Sequence, residues 1–396
     1  MAGVIGDIKD LELNALLEIT QAINNNLSEN DLYRIYKFTL LADLKVKKLA
    51  MFVVDEEWRC EVDFGTDADW STVTLPSKHL EYKDIVSIEE TDEFKSFSQA
   101  FPVHHKDRLL SVVFLERQSD EVEITFLKAL TNILIVAIEN KKLARKQLEQ
   151  EAYRKELEIA KKVQNFLFPK RLPKSTRLKI DAVYLPHYDI GGDYYDYVAL
   201  GENKFMICIA DVSGKGVPAA LLMSNFQAAL RTLVRKTHDL KDIISELNHA
   251  TYSSSDGDNF ITFFMGIYDF DTRVFEYVNC GHNPSIIYSN GEIRLLEEGT
   301  TILGMFDPLP FLETKRIDDI GEFLFFAYTD GLTEAFNKEE EQFGMERLME
   351  IIKSRSDEDL PILHQFIFKA LDDFREDTPY HDDITMISCH VDAGVS

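Results

Sequence analysis

The chain has 396 residues, 45% hydrophobic and 28% charged, which is ordinary for a globular protein with a real core and gives room for two or three domains. A formal net charge of -26 argues against nonspecific contact with nucleic acid or an anionic membrane, and suits solubility, cations and basic partner surfaces. No run of about 18 uncharged apolar residues occurs, the longest candidate, Ala129 to Ile138, being short and interrupted by Thr131 and Asn132, so no spanning helix or membrane insertion is expected.

Met1 to Asp10 has neither a basic n-region nor an apolar h-region, so the sequence reads as cytoplasmic, without a signal peptide. From Leu11 to Ile23 apolar residues recur at helical spacing, followed by a turn at Asn24-Asn25-Asn26. Ser28-Glu29-Asn30-Asp31 reads as the start of a second helix. Lys48 to Val54 and Leu109 to Leu115 read as strands, and Val122 to Ala137 as a helix opened by Asp120 and Glu121. The segment from about Leu11 to Asn140 resembles a GAF-type sensor domain in its order of elements, although it lacks the NKFDE-type motif of the cyclic-nucleotide-binding members. The resemblance implies an antiparallel sheet with helices over residues 1–140. His104 and His105 are neighbours on an extended stretch and would point to opposite faces, which argues against a shared ligand role.

Glu139 to Gln164 is charged and free of Gly and Pro, and Leu148, Ala152, Leu157, Ala160 and Val163 form an apolar stripe. This predicts a helical, coiled-coil-like linker over 141–169 that pairs with its copy in a homodimer, or else an amphipathic helix packed on its own domain. Phe168-Pro169 and Leu172-Pro173 end it. Beyond Lys170, Leu178 to Tyr184, Lys204 to Ala210, Phe260 to Tyr268, Val274 to Asn279, Pro284 to Tyr288, Glu322 to Tyr328 and Ile384 to Val391 read as strands. Pro218 to Val234, Leu240 to Ser253, Gly344 to Lys353 and Leu360 to Phe374 read as helices, and Ser289-Asn290-Gly291-Glu292 as a hairpin turn. The fold class is α+β, with two antiparallel sheets between helices over 170–396. The four cysteines, Cys60, Cys208, Cys280 and Cys389, contain no C-x-x-C pair. That disfavours a zinc ribbon, and Cys208 and Cys389 read as buried thiols.

The chemistry is concentrated in acidic stretches at strand ends. Tyr188-Asp189-Ile190-Gly191-Gly192-Asp193-Tyr194-Tyr195-Asp196 and Ala210-Asp211-Val212-Ser213-Gly214-Lys215-Gly216 flank one strand; Thr329-Asp330-Gly331 and Asp382-Asp383-Ile384-Thr385 follow. No adjacent Lys or Arg is expected to neutralise Asp193, Asp211, Asp330 or Asp382. Brought together, four carboxylates need a cation to stay ionised. Oxygen donors without Cys or His spacing favour Mg or Mn over zinc. Two such ions about 4 Å apart would hold a water for in-line attack on phosphorus. Asp189, Asp196 and Asp383 are spare carboxylates suited to orienting the ligands, and Asp383 could also touch a metal. Acidic turns beside strands also occur without a metal; four in one domain favours one.

Gly191 to Asp196, Asp211 to Met223, Cys280-Gly281-His282-Asn283-Pro284, Tyr328 to Glu334 and Asp382 to Thr385 closely resemble, in order, the motifs of the RsbU/SpoIIE-type serine phosphatases, a branch of the protein phosphatase 2C superfamily. The resemblance covers about Ile159 to Val391. It implies that Asp211 bridges two Mn or Mg ions, with help from the Val212 carbonyl. Asp193 would hold one ion, and Asp330 and Asp382 the other. It also implies hydrolysis of phosphoserine or phosphothreonine on a STAS-type anti-sigma antagonist. The superfamily's phosphate-contacting arginine has no clear match here. His282 reads as a proton donor to the leaving serine or as a structural residue of its Gly-His-Asn turn.

Two other readings fit less of the chain. Gly191-Gly192-Asp193 resembles the opening of the diguanylate cyclase signature, but Tyr194-Tyr195 replaces its Glu-Phe, and Asp211 and Asp330 would have no role. A non-catalytic, metal-stabilised interaction module is disfavoured because no candidate ligand is substituted. Ser213-Gly214-Lys215-Gly216 is not a phosphate-binding P-loop, since the first glycine and final Ser/Thr are missing.

Overall fold

A computed structural model describes residues 2–55, 57–89, 92–116, 123–187, 189–255 and 258–392. Asp120, Glu121 and Val122, expected to open a helix, and Tyr188 of the first acidic stretch lie outside the described residues. The chain divides into two compact units, Met1–Ala152 and Tyr153–Ser396.

In the first unit α1 (Ala2–Asn24) and α2 (Glu29–Phe38) precede β1 (Leu49–Val54) and β2 (Trp58–Phe64). Then come α3 (Ser77–Leu80), β3 (Val86–Ser87), β4 (Gln99–His105), β5 (Arg108–Leu115) and α4 (Ile124–Asn165). Ser28 caps α2 by accepting the Asp31 amide, which satisfies one of the donors a helix start leaves open. The strands form one antiparallel sheet in the order β2-β1-β5-β4-β3. One face buries Met51 and Val113 with Ile19, Leu32, Tyr36, Leu130 and Leu134 of the helices; the other buries Phe52, Trp70, Phe94 and Phe114. Sequence reading missed β2, β3 and β4. His104 and His105 end β4 at a register shift and do not converge on a common ligand position.

The sequence expectation separated a helix ending at Ala137 from a linker helix over 141–169. The structure has a single unbroken α4, because nothing between Ala137 and Gln164 stops a helix. The unit division falls inside it. Leu148, Ile159 and Val163 are exposed along its length.

The second unit continues with β6 (Leu178–Leu185), β7 (Tyr194–Ala199), β8 (Lys204–Val212), α5 (Val217–Val234) and α6 (Leu240–Ser255). Next are β9 (Ile261–Asp269), β10 (Val274–Cys280), β11 (Ser285–Ser289), β12 (Glu292–Leu296), β13 (Gly299–Thr300), β14 (Lys315–Ile317) and β15 (Glu322–Tyr328). α7 (Asp330–Thr333), α8 (Gly344–Arg355), α9 (Leu360–Arg375) and β16 (Ile384–Asp392) complete it. One sheet runs β13-β10-β9-β8-β7 with β14 on β10, the other β12-β11-β15-β16-β6. All pairings are antiparallel except the two-residue β10–β13 pair.

The strands are apolar on both faces because both faces are covered. Phe205, Ile207, Ile209, Phe264 and Phe275 meet Ile287, Phe323, Phe325, Ile387 and Cys389 between the sheets. Met206, Cys208, Met265 and Val278 face Met223, Phe226, Leu230, Ile243 and Leu247 of α5 and α6. Phe326, Tyr328, Ile384 and Met386 face Leu348, Ile352, Leu363 and Ile367 of α8 and α9. The result is a four-layer α-β-β-α sandwich, and the acidic stretches gather at one end of it.

Candidate functional site

Asp193 forms the floor of the site. It immediately precedes β7, which the sequence reading missed, and is 1% exposed. Its Oδ2 accepts from Thr329 Oγ1 at 2.8 Å and Thr385 Oγ1 at 2.6 Å. The Thr385 amide in turn donates to Thr329 Oγ1 at 2.9 Å, so the ends of β15 and β16 are tied together beneath the carboxylate. Burial, then the charges of Asp211 and Asp383, push the Asp193 carboxyl well above the usual carboxylate range.

Asp211 is the penultimate residue of β8, held opposite Thr262 of β9. Burial, then Asp330, Asp382 and Asp383, raise it to about 7, and it shares a hydrogen bond with Asp193. The next residue, Val212, faces Ile261, whose own N–H and C=O both bond Leu303 on its other side. The Val212 carbonyl therefore points away from β9 and toward the Gly191-Gly192 turn. A Cβ on Gly192 would stand 2.7 Å from that carbonyl oxygen, so only glycine permits this approach.

Asp330 opens α7 half-buried, raised by burial and then by Asp382. A Cβ on Gly331 would meet the Asp383 carbonyl at 2.1 Å, which is how closely the start of α7 rests on the start of β16. Asp382 lies at the rim, with its side chain 46% exposed. There Lys215 Nζ contacts its Oδ2 at 2.7 Å. No Lys or Arg adjoins the four aspartates in sequence, but the fold brings this one from a distance. Lys215 is four residues from Asp211 in sequence, and the turn at Gly214 and Gly216 swings it across to β16.

The spare carboxylates separate. Asp383 is 8% exposed and accepts from the His187 amide at 2.7 Å and the Gly192 amide at 2.9 Å, so it orients the loop that delivers Asp193. Burial raises it, against the pull of those donors. Asp196 does not orient the metal-site carboxylates. It is fully buried under α5, where Arg231 Nε and Nη2 donate to it at 2.7 and 3.0 Å. The reason is strand alternation: Asp196 shares the helix-facing side of β7 with Tyr194. Asp189 is exposed.

His282 is 6% exposed, inside the turn that carries it. Burial lowers it to about 4, so its ring is neutral. Nε2 stands 3.1 Å from the Tyr328 carbonyl and Nδ1 2.8 Å from Thr262 Oγ1. A neutral ring satisfies both by donating from Nε2 and accepting at Nδ1. It thereby braces the strand ends that carry Asp211 and Asp330, one in each sheet.

Sequence reasoning also missed Gln164, 5% exposed in the last turn of α4, whose Nε2 donates to the Gly191 carbonyl at 2.7 Å. Thr329 and Thr385 lay inside the acidic motifs but were passed over in favour of their charged neighbours. A cavity of about 550 Å³ lined by Lys179, Asn290, Glu322 and His390 lies at the other ends of β6, β15 and β16, away from the aspartates.

Among the described residues no group of three or more His, Cys, Asp or Glu side chains is already arranged to hold a metal ion. The carboxylates are reconciled instead by the hydrogen bond Asp193 and Asp211 share and by the Lys215 ammonium on Asp382. Both devices put positive charge where it is needed, and all the donors are hard oxygens. That chemistry fits Mg or Mn.

The family described as Stage II sporulation protein E (SpoIIE) matches residues 201–392. Phosphoserine phosphatase RsbU of Bacillus subtilis is 30% identical over 243 residues, covering 60% of this chain and 70% of that protein. Protein IcfG of Synechocystis sp. is 31% identical over 284 residues, 63% of this chain; the chain spans only 44% of its length. In structure, the SiaA-PP2C domain of Pseudomonas aeruginosa superposes with a TM-score of 0.55 at 22% identity, covering 62% of this chain and 99% of that one.

Proposed function

We propose that this chain, which belongs to the RsbU/SpoIIE-type family of protein phosphatase 2C-fold phosphatases, hydrolyses phosphoserine or phosphothreonine on a signalling protein. The observation that carries the proposal is the convergence of Asp193, Asp211, Asp330 and Asp382 on one end of the sandwich, with Asp211 raised to about 7 by burial and the other carboxylates. A buried acidic cluster whose carboxyls raise one another in this way is a functional-site candidate. Two divalent ions, Mg or Mn, would supply Lewis-acid charge to the phosphoryl oxygens and to the attacking water.

The chain's residues do the rest. Asp211, with the Val212 carbonyl beside it, would hold both ions; Asp193, fixed by Thr329 and Thr385, would hold one, and Asp330 and Asp382 the other. Asp383 holds the Gly192 amide and keeps the Asp193 loop in place. His282, with both ring nitrogens engaged by Thr262 and the Tyr328 carbonyl, suits a bracing role between the two sheets better than proton donation to the leaving serine.

A protein substrate suits the surroundings. Asp382 is at an open rim, and Val217 and Leu221 on the first turns of α5 are exposed. The name of the phosphoserine phosphatase RsbU relative points to phosphoserine, and the family resemblance to a STAS-type antagonist as its carrier. The first unit, GAF-like in element order, would sense a signal. The exposed stripe of α4 would pair two copies, and its end reaches the Asp193 loop through Gln164.

The test is phosphate release from a phosphoserine protein or peptide with Mn, with Mg and with chelator, beside Asp211→Asn. Release that needs metal and vanishes in the variant is expected. Equal release in chelator, or from the variant, would overturn the site. For pairing, Leu148→Glu with Val163→Glu should convert a dimer to a monomer in light scattering, and an unchanged mass would refute it.

A further inference from the structure

Lys215 has a setting unlike the other cations near the aspartates. Arg231 is bound in two-pronged fashion to buried Asp196, a match of planar groups that fixes it. Lys215 instead sits on the loop between β8 and α5 with its side chain 45% exposed. Its Nζ donates to Asp382 Oδ2 at 2.7 Å and to the His381 carbonyl at 2.8 Å. The residues on either side, Gly214 at φ +91° and Gly216 at φ +71°, lie in the left-handed region, and a Cβ added at either would meet nothing within 4 Å. The lysine is thus carried between two conformationally permissive positions.

Its partner is a proposed ligand. A lysine ammonium is a compact point charge, and it competes for a carboxylate oxygen with any other cation. A phosphoryl dianion entering over the rim would also gain from a positive charge beyond that of the ions, on the side of the site away from them. The arginine that does this elsewhere in the superfamily has no clear match here. We propose that Lys215 is a mobile counter-charge. It neutralises Asp382 while the ion position is vacant, yields Asp382 to the divalent cation, and turns to the phosphoryl oxygens of the bound substrate. This deepens the phosphatase reading of the same site and rests on it.

The two halves of the role predict effects of opposite sign, which a merely structural lysine would not give. In the full-length chain, Lys215→Met should bind Mn, titrated calorimetrically without substrate, about two- to fivefold more tightly than wild type, because a half-exposed competitor is removed. In saturating Mn the same variant should show KM for a phosphoserine peptide and the inhibition constant for inorganic phosphate both raised about tenfold, the scale of one hydrogen bond to a charged group. Lys215→Arg should recover much of the phosphate effect. Mn affinity that is unchanged or weaker in Lys215→Met, or phosphate inhibition that is unchanged, overturns the proposal while leaving the metal site intact. Wild-type protein that binds no Mn would instead sink the metal reading, and this proposal with it.

Discussion

Replacing Asp211 by Asn exchanges one oxygen for a nitrogen and leaves the side-chain shape nearly unchanged, so it tests the charge alone. Folded Asp211 is raised to about 7, by burial first and then by Asp330, Asp382 and Asp383. An unfolded aspartate titrates near 3.9. The folded chain therefore holds one more proton than the unfolded chain between roughly pH 4 and 7. Without metal, wild-type stability from this group is fully present below pH 4 and is lost as pH rises through 7. About three units at 1.36 kcal/mol each make the ionised carboxylate cost about 4 kcal/mol at pH 8. Asp193 shares a hydrogen bond with Asp211 and takes up part of the relief, so a gain of about 1–3 kcal/mol is expected for Asp211→Asn at pH 8 in chelator. At pH 4 the difference should vanish, because both side chains are then neutral. Manganese reverses the order. Wild type gains about 2.7 kcal/mol at a hundred times its Kd, and the variant, lacking the carboxylate charge, gains much less. Urea titrations of both proteins at pH 8 and pH 4, with chelator and with Mn, read all of this. A variant less stable than wild type in chelator at pH 8 would refute the reasoning, because Asp211 would then be contributing favourable contacts rather than stored repulsion.

Three further outcomes follow from the geometry. Arg231→Met strands the fully buried Asp196 and should cost about 3 kcal/mol in urea unfolding. Its kcat per folded molecule should hold, since Asp196 faces α5 rather than the acidic cluster. His282, lowered to about 4 by burial against about 6.5 unfolded, contributes stability that is present above pH 6.5 and lost as pH falls through 4, about 3 kcal/mol in all. The wild-type curve should lose that slope in His282→Asn, which starts lower at pH 7 but is flatter below it. Gly191→Ala places a Cβ 1.8 Å from Asp383 Oδ2, so the carboxylate must leave the amides of His187 and Gly192. Mn affinity by calorimetry should fall more than tenfold with a stability loss of about 2 kcal/mol, and unchanged Mn affinity would show that Asp383 does not position the Asp193 loop.

The aspartates were legible because strand-end acids beside glycines are a local pattern, and the two sheets were legible because their buried strands are continuous apolar runs such as Phe205 to Ala210. The strands that went unread fail one or other of these conditions. β2 alternates charged and apolar residues, and β7 is tyrosine-rich and follows directly on a glycine turn that reads as loop.

What charge pattern alone does not convey is which face of a strand each acid occupies. Asp193 and Asp196 sit three residues apart in one motif. One is held by two threonines in the acidic cluster, and the other is buried beneath α5 with Arg231 as its partner, 35 residues further on. The same limit hid Thr329, Thr385 and Lys215, whose partners lie between 56 and 192 residues away. Those long-range partners decide how the site behaves. Two neutral hydroxyls let Asp193 stay buried beside other acids without a permanent countercharge, and the Lys215 ammonium that approaches the cluster is on a glycine-flanked tether. A fixed cation such as Arg231 at the same place would hold the cluster neutral and keep divalent ions out. Among the described residues the lack of fixed positive charge is what suits the cluster to a divalent ion, and it follows from the tertiary placement of these side chains rather than from the acidic motifs themselves.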